Sequence, residues 1–273
     1  EDAKRIVKIA IDNFNKRGAD VMIPKHKAKQ VAGFGVESIK YHLGGSFRGT
    51  FYTLNDNIIN GRIRGVAGVV GCNNARTRHN EDHLLIVKEL IKNDVLVLTT
   101  GCTAIACAMD GLLAPETAAA AAGPGLAEVC ETVGIPPVLH LGSCVDNSRI
   151  LLAATEVVKA GGLGNDLSDL PVAGSAPEWM SEKAISIGQY FVTSGVYTVF
   201  GYMLPTSGAP VFHDYISKEF ENIYGGMWDV EADPIKHAHM MIAHIDKKRK
   251  ALGIDRARER VLMDMADRQA LQA

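Results

Sequence analysis

The sequence has no run of about twenty apolar residues, and this lack excludes a helix that crosses a membrane. It also lacks an excess of positive charge: the net charge is −2 over 273 residues, which predicts no nucleic-acid partner, and the short basic run at 246–250 is interpreted as an exposed helix face. Neither a G-x-S-x-G motif nor a phosphate-binding P-loop occurs, so nothing in the sequence indicates a serine hydrolase or a kinase. The 47% of hydrophobic and 22% of charged residues are typical of a well-packed globular protein.

The five cysteines do not form the pairs that a disulfide-rich secreted protein needs, because five is an odd number. No C-x-x-C pair is present, which disfavours a structural zinc site. We therefore expect a reducing, cytoplasmic environment in which the thiols stay free to bind metal. The chain begins at Glu1 without a signal peptide, so we expect it to be a piece of a longer polypeptide.

Three cysteines occupy the same kind of position, directly after a glycine or a Gly-Ser pair where an apolar run ends. They are Cys72 after GVAGVVG, Cys102 after LVLTTG and Cys144 after PPVLHLGS. The carboxyl ends of parallel strands share one edge of a sheet, so we expect the three thiols to meet there. Soft thiolates that meet in a reduced protein bind metal, most often as iron–sulfur clusters or zinc. The alternative is that they fill space in the core, as we expect of the helical Cys107 and Cys130.

Apolar runs alternate with amphipathic segments along the chain, and this alternation predicts an α/β fold. We expect a doubly wound, mostly parallel, Rossmann-like sheet with helices on both faces and extra helices at the C-terminus. The predicted strands are 30–35, 65–70, 94–99, 137–141, 171–175 and 196–200. The predicted helices are 2–17, 37–43, 54–60, 79–92, 103–113, 116–133, 146–159, 178–189, 211–224, 234–252 and 255–272.

No repeat or low-complexity linker divides the chain, so residues 1–273 are predicted to form a single domain. Beyond Pro205 the pattern changes from alternating strands and helices to helices alone. We expect these terminal helices, about 211–273, to clamp the sheet or to make an oligomer contact.

Four segments around the cysteine turns add to this picture: GCNN at 71–74, TGC at 100–102, HLGSCVDNSR at 140–149 and APEWMSEKA at 176–184. Together they resemble the nickel–iron–sulfur carbon monoxide dehydrogenases, and GSCVDNSR is the most specific of the matching runs. The resemblance extends over essentially the whole chain but corresponds only to the C-terminal α/β domain of that family. A full subunit of the family also has an N-terminal helical domain and a middle α/β domain.

The resemblance implies an oxidoreductase that interconverts CO and water with CO2, two electrons and two protons. Cys72 and Cys102 would bind irons of the catalytic nickel-containing [4Fe-4S]-type cluster, and Cys144 would bind its nickel or the metal edge beside it. Lys183 would be the acid/base, and Ile187 would form a wall of the CO pocket. A histidine and further cysteines of the middle domain would complete the ligand set. Additional [4Fe-4S] clusters would lie on the missing N-terminal domain.

The same resemblance implies a homodimer that passes electrons to ferredoxin or a similar carrier. The sequence leaves open whether an acetyl-CoA synthase is a further partner. It also leaves two alternative functions. One is a hybrid-cluster protein, which shares the architecture and reduces hydroxylamine at an iron–sulfur–oxygen cluster, although the GSCVDNSR run matches it less well. The other is a structural or interaction domain that keeps the fold without the cluster, because part of the ligand set is absent from this chain.

Other residues carry weaker signals. The segment GFGVES at 33–38 resembles a dinucleotide-binding G-x-G-x-x-G motif without its third glycine, and a tight turn is the preferred interpretation. His79 and His83 lie one helical turn apart and are interpreted as part of an exposed helix face. His140 either orients the Cys144 turn or is an ordinary core histidine. Four polar residues would either bond to cluster sulfurs or cap helices: Asn73, Asn74, Asp146 and Asn147.

Overall fold

The computed structural model describes residues 1–18, 21–25 and 27–256. Within them, parallel strands form one six-stranded sheet whose order is β3-β2-β1-β4-β5-β6, the order of a doubly wound Rossmann-type sheet. The predicted α/β class is confirmed, and the sheet is parallel throughout. The strands are β1 Gly65–Val69, β2 Val95–Thr100, β3 Val138–Gly142, β4 Val172–Ala176, β5 Thr198–Phe200 and β6 Trp228–Val230.

The α-helices of the described residues connect these strands and extend beyond them. In chain order they are α1 Asp2–Phe14, α2 Val36–Leu43, α3 Tyr52–Ile59, α4 Glu81–Lys92, α5 Gly101–Met109, α6 Thr117–Ala121, α7 Pro124–Val133, α8 Ser148–Ala160, α9 Glu182–Thr193, α10 Pro210–Asp214, α11 Phe220–Tyr224 and α12 Pro234–Ala251. None of these helices has both the length and the apolarity that crossing a membrane requires.

Helices cover both faces of the sheet, as the doubly wound prediction requires. On one face, α4 and α12 pack against each other and against β1, β2 and β4. On the other face, α8 and α9 pack on the sheet, and α2 and α3 lie against α8. Every residue of β2 is buried, because a parallel strand between two helical layers has no solvent face. This explains why the strand is a continuous apolar run in the sequence.

Local sequence signals set the ends of several helices. Helix α12 begins after Asp233, whose side chain accepts hydrogen bonds from the backbone N–H groups of Ile235 at 3.0 Å and Lys236 at 2.9 Å. Near the other end of α12, the buried Arg249 donates to the backbone carbonyls of Ile58 at 2.7 Å and Ile254 at 2.6 Å. The first turn of the helix is therefore capped locally, and Arg249 attaches the other end to the core.

The predicted strand 30–35 is wrong, because this segment is an irregular stretch that contacts the middle of β3. The backbone N–H groups of Gly33 and Phe34 both donate to the His140 carbonyl at 3.0 Å, which does not continue a ladder. Gly33 has a φ of +92°, outside the extended region that a strand needs. The dinucleotide motif at 33–38 also loses support, since it requires a strand directly before its glycines.

Other differences concern three predicted helices and one strand. The predicted helix 116–133 is two helices, α6 and α7, separated at Gly123 and Pro124. The predicted helix 211–224 is α10 and α11 joined by the π-helical turn Tyr215–Glu219. Strand β6 was not predicted. The predicted helix 255–272 lies almost wholly outside the described residues.

Candidate active site at the carboxyl edge of the sheet

The strand order reverses between β1 and β4, and a cavity opens at the carboxyl ends of these two strands. Ligands of doubly wound sheets bind in the crevice at such a reversal. The cavity has a volume of about 160 Å³, room for about five water-sized molecules. Its lining brings together four of the five residues singled out in the sequence: Cys72, Cys144, Lys183 and Ile187.

The turn that holds Cys144 is built by its own neighbours. Directly after β3, residues Cys144–Asp146 form one turn of 3-10 helix. The Asp146 carboxylate accepts from the backbone N–H of Ser143 at 2.8 Å and from its hydroxyl at 3.1 Å. These bonds hold the pKa of Asp146 below its usual range. Asp146 thus takes the capping role that the sequence left open.

Asn147 and His140 support the same turn from either side. The buried Asn147 accepts a hydrogen bond from the Thr100 hydroxyl, which ties the Cys144 turn to the end of β2. The Nδ1 atom of His140 accepts from the backbone N–H of Gly142 at 3.1 Å. His140 therefore contacts the turn, which agrees with the first of its two predicted roles.

Cys102 lies in the first turn of α5 and depends on the glycine before it. Gly101 has a φ of +56°, in the left-handed region. A Cβ at this position would collide with the Sγ atom of Cys144. The absence of a side chain at Gly101 therefore lets the Cys144 thiol approach the backbone next to Cys102.

The three predicted ligand thiols are half-buried and close enough to influence one another. Burial raises the pKa of the Cys102 thiol, and the neighbouring thiols of Cys144 and Cys72 raise it further, while the Asn73 backbone lowers it. Among the described residues, no three His, Cys, Asp or Glu side chains lie close enough to hold one metal ion. The arrangement therefore does not match a zinc site.

Cys72 follows β1 on a loop that two asparagines hold in place. The amide of Asn73 donates to the side-chain oxygen of Asn80 at 2.6 Å, and that of Asn74 donates to the Trp179 carbonyl at 3.1 Å. The second bond joins the Cys72 loop to the loop after β4. Both asparagines thus fix the loop, and a contact with cluster sulfur stays a prediction.

Lys183 and Ile187 enter the cavity from α9, one helical turn apart, so their side chains lie on the same helix face. The loop between β4 and α9 also brings Ser181, whose hydroxyl is 3.9 Å from the Cys72 sulfur. The cavity wall thus combines thiols, one amine and the apolar side chain of Ile187.

The sequence analysis misplaced His83, which is 0% exposed rather than part of a solvated helix face. Its Nε2 atom is 2.7 Å from the Cys72 carbonyl oxygen, and its Nδ1 atom is 3.1 Å from the Thr103 hydroxyl. His79 is exposed as expected. The missed signal is periodicity, because His83 lies three, four and seven residues before the apolar Ile86, Val87 and Leu90, and shares their buried face.

Glu178 is a second buried polar residue that sequence analysis did not single out. Its side chain is 0% exposed, and neither carboxyl oxygen has a hydrogen bond of ordinary geometry to a described residue. Burial raises its pKa, while the Thr77 hydroxyl and the nearby backbone N–H groups of α4 oppose the rise. One of its oxygens is 3.9 Å from His83 Nε2.

The remaining cysteines are placed as packing residues. Cys107 and Cys130 are both 0% exposed, and burial raises the pKa of each thiol to about 12. Such thiols stay protonated and are poor ligands at neutral pH. The structure therefore separates these two from the three half-buried thiols at the sheet edge.

The donor set at this edge fits a cluster of several metals better than a single ion. Iron–sulfur clusters take single thiolates at separate irons, so their cysteines need not converge on one atom. Three half-buried thiols, a glycine at the point of closest approach and an adjoining cavity meet that requirement. Cys72, Cys102 and Cys144 are the residues that would hold such a cluster.

Known proteins share both the sequence and the fold. The chain matches the Prismane/CO dehydrogenase family over residues 1–235. Carbon monoxide dehydrogenase 1 of Methanosarcina mazei is 52% identical over 256 residues, which are 93% of this chain and 40% of that protein. The nickel-free crystal structure of carbon monoxide dehydrogenase from Thermococcus sp. AM4 has a TM-score of 0.85 and 51% identity, covering 92% of this chain and 39% of its own.

A solved acetyl-CoA synthase/carbon monoxide dehydrogenase, described with NiZn[Fe4S4] and NiNi[Fe4S4] clusters in its alpha subunits, has a TM-score of 0.85 and 34% identity. The match covers 93% of this chain and 39% of that one. The chain thus spans about 40% of the length of the curated relative from Methanosarcina mazei. Because the family match over residues 1–235 covers most of the sequence, the chain belongs to the Prismane/CO dehydrogenase family.

Proposed function

We propose that the chain forms the catalytic α/β part of a nickel-dependent carbon monoxide dehydrogenase. The reaction interconverts CO and water with CO2, two electrons and two protons. The Methanosarcina mazei and Thermococcus relatives are named carbon monoxide dehydrogenases at 52% and 51% identity, which supports this activity over others of the family. The chain contributes the cavity and part of the metal-binding set, because it spans 40% of the first of these relatives.

The observation that supports the proposal best is the shared cavity of Cys72, Cys144, Lys183 and Ile187. Two thiols supply metal ligands, an amine supplies a proton carrier, and an apolar side chain favours a gas over water. Those four side chains come from two different loops and from helix α9, yet the strand order brings them to one crevice. A packing role for the cysteines would not require a cavity with a lysine in its wall.

The three thiols of the donor set indicate which kind of metal cluster would bind. Cys72 and Cys102 would hold irons and Cys144 the nickel of a nickel-containing [4Fe-4S]-type cluster, with the remaining ligands supplied from outside this chain. When bound, such a cluster supplies Lewis acidity toward CO and accepts the two electrons. The nickel-free description of the Thermococcus relative supports nickel as the metal to test.

The side chains around the cavity then supply proton transfer, exclusion of water and hydrogen bonding. As an ammonium, Lys183 stabilises the carboxylate character that develops as CO2 forms, and it takes or gives a proton in general acid/base catalysis. Ile187 packs in the cavity wall, where its apolar surface excludes water from the site of CO binding. Ser181, near Cys72, adds a hydroxyl that can accept or donate a hydrogen bond at the same edge.

The partners follow from the reaction. Two electrons per turnover need an outlet, so we propose further [4Fe-4S] clusters on polypeptide outside this chain and a ferredoxin-like acceptor. We propose a homodimer in the cytoplasm as the working form. Likeness to an acetyl-CoA synthase/carbon monoxide dehydrogenase makes a synthase the further partner to test by copurification.

The test is CO-dependent reduction of a viologen dye by protein purified without oxygen from nickel-supplied cells, with nickel and iron measured on the same sample. We expect nickel and iron in the wild type, and loss of both nickel and activity in Cys144→Ala. Cys130→Ala is the matched control, because it removes a thiol that is buried within α7. Activity that survives in Cys144→Ala would refute the assignment.

The same measurement separates the alternatives. Iron without nickel, together with hydroxylamine reduction, would support a hybrid-cluster protein. A folded protein with neither metal would support a structural or interaction domain. Each result is distinct from the nickel-dependent CO oxidation that we expect.

A further inference from the structure

His83 contacts both of the loops that hold the predicted iron ligands. It is the third residue of α4 and is 0% exposed. Its Nε2 atom lies 2.7 Å from the backbone carbonyl oxygen of Cys72, and its Nδ1 atom lies 3.1 Å from the hydroxyl of Thr103, the residue after Cys102. One imidazole ring therefore joins two segments that are separated by thirty residues of sequence and by strand β2.

The two partners determine which ring nitrogen has the hydrogen. A carbonyl oxygen only accepts, so Nε2 carries the hydrogen and donates to Cys72. Nδ1 is then a lone-pair acceptor for the Thr103 hydroxyl. Both contacts are made by one neutral tautomer, and burial agrees with it because it lowers the pKa of His83 to about 4. Every hydrogen-bonding atom of the ring has a partner.

The Cys144 turn does not share this support. It is held by the bonds from Ser143 to Asp146 at 2.8 and 3.1 Å and by Asn147, and the hydrogen bonds of His83 in the described part of the chain go to Cys72 and Thr103 instead. Loss of His83 would therefore release Cys72 and Cys102 while leaving Cys144 in its turn. This asymmetry makes the role of His83 measurable within a single molecule.

We propose that His83 is a positioning residue that fixes the Cys72 and Cys102 loops at the separation required for binding the cluster. The metal-binding part of the proposal rests on the proposed function, whereas the fixing of the two loops does not. His83 contacts neither sulfur, so it acts through the backbone of one cysteine and the helix turn of the other. The buried Glu178 has a carboxyl oxygen 3.9 Å from Nε2 of the same ring.

The experiment measures how fast each cysteine reacts with iodoacetamide in metal-free, otherwise complete protein, using peptide mass spectrometry. In His83→Leu both hydrogen bonds are lost, and we expect Cys72 and Cys102 to react about tenfold faster than in wild type, from the loss of buried hydrogen bonds. The rate at Cys144 stays within twofold and serves as the internal reference. Nickel and iron contents, measured on metal-loaded protein, fall in the same variant.

Two further variants separate positioning from general stability. In His83→Gln the amide can still donate from near the Nε2 position, so we expect Cys72 to keep its slow rate and only Cys102 to speed up. In Thr103→Val the ring and its bond to Cys72 remain, so again only Cys102 is affected. His79→Gln is the matched control, because it makes the same change at an exposed histidine just before α4.

The outcomes decide between a positioning role for His83 and a role in general stability. Equal acceleration at all three cysteines, or unchanged rates in a folded His83→Leu protein, would overturn the proposal. If His83→Leu does not fold, Thr103→Val decides in its place: an unchanged Cys102 rate overturns the proposal, and a selective increase supports it. Wild-type protein without nickel or CO-dependent viologen reduction would refute the proposed function, yet the labelling rates would still test the positioning role.

Discussion

At the residue scale, the side chains around the cavity differ in how firmly the structure holds them. Cys144 and Asp146 belong to a hydrogen-bonded turn, and His83 is enclosed with both ring nitrogens bonded. Lys183 makes no such bond: it is exposed in the described chain and lines the cavity from the first turn of α9. A group that carries protons benefits from this freedom, whereas a ligand benefits from rigidity.

Replacing Lys183 tests its role as a proton carrier. We expect Lys183→Ala to lower kcat for CO oxidation by about 10²–10⁴ without lowering nickel or iron content, since general acid/base catalysis contributes that much. Lys183→Arg keeps the positive charge but cannot release a proton near neutral pH, so it separates charge stabilisation from proton transfer.

The matched control for this prediction is Lys159→Ala on α8, where the lysine is exposed and pairs with Glu156 at 2.9 Å. This change should leave kcat within twofold of wild type. Full activity of Lys183→Ala in the viologen assay, with unchanged metal content, would show that another group moves the proton.

The positions of these residues were predictable to different degrees. The three cysteines could be placed from sequence because a glycine and a cysteine directly after an apolar run recur three times. His83 could not be found in the same way, because polar residues precede it and only its spacing from Ile86, Val87 and Leu90 reveals the buried face. Glu178 gave no local signal, since its burial depends on the distant α4.

At the element scale, the start of α5 is where the candidate site leaves no room for a further side chain. Gly101 begins the helix in a left-handed conformation, and the Cys144 thiol occupies the space that a side chain would need. The register between β2 and β3 also shifts at Thr99 and Thr100, just before this turn. Such irregularities occur next to active sites, where they redirect the chain at the end of a strand.

We expect Gly101→Ala to displace Cys144 and thereby to lower nickel content and CO oxidation several-fold. The alanine also destabilises the fold by about 1 kcal/mol through its positive φ alone. Gly134→Ala is the matched control: Gly134 has a φ of +73°, but a Cβ there would meet no atom within 4 Å. Metal analysis and urea unfolding of both variants separate the collision from the strain, and equal nickel content in the two would contradict the prediction.

Strands and helices were predicted well where their own burial produces a recognisable pattern of apolar residues. Strands β1 to β5 matched apolar runs, because burial on both faces leaves few polar positions in them. The segment 30–35 looked like a strand for the same reason, but its glycine at φ +92° prevents the extended ladder. Strand β6 was missed because its three residues include Asp229 and no longer apolar run surrounds them, so only its pairing with β5 identifies it as a strand.

At the scale of the whole molecule, histidines of α12 attach this helix to the sheet and to the segment after β6. His237 accepts a hydrogen bond from the Ser175 hydroxyl at 2.7 Å and donates to the Glu231 carbonyl at 3.1 Å. His244 stacks on Tyr197 with ring centroids 4.5 Å apart. Burial lowers the pKa of each histidine to about 4.

These two histidines make stability depend on pH. In the unfolded chain a histidine binds a proton at its ordinary pKa of about 6.5, whereas in the folded protein each stays neutral until about pH 4. Between those values the unfolded state holds more protons, so the free energy of unfolding falls as the pH is lowered through this window. Asp229 and Glu231 face His237, while Lys247, Lys248 and Glu221 face His244.

His244→Phe tests this dependence, because phenylalanine keeps a ring to stack on Tyr197 but cannot titrate. Urea unfolding of metal-free protein should show that the loss of unfolding free energy between pH 7 and pH 4.5 is about 1–2 kcal/mol smaller in this variant than in wild type. His79→Phe, at an exposed histidine just before α4, should keep the wild-type dependence. If His244→Phe and wild type lose the same free energy over this range, His244 is protonated in the folded protein and the acid sensitivity originates elsewhere.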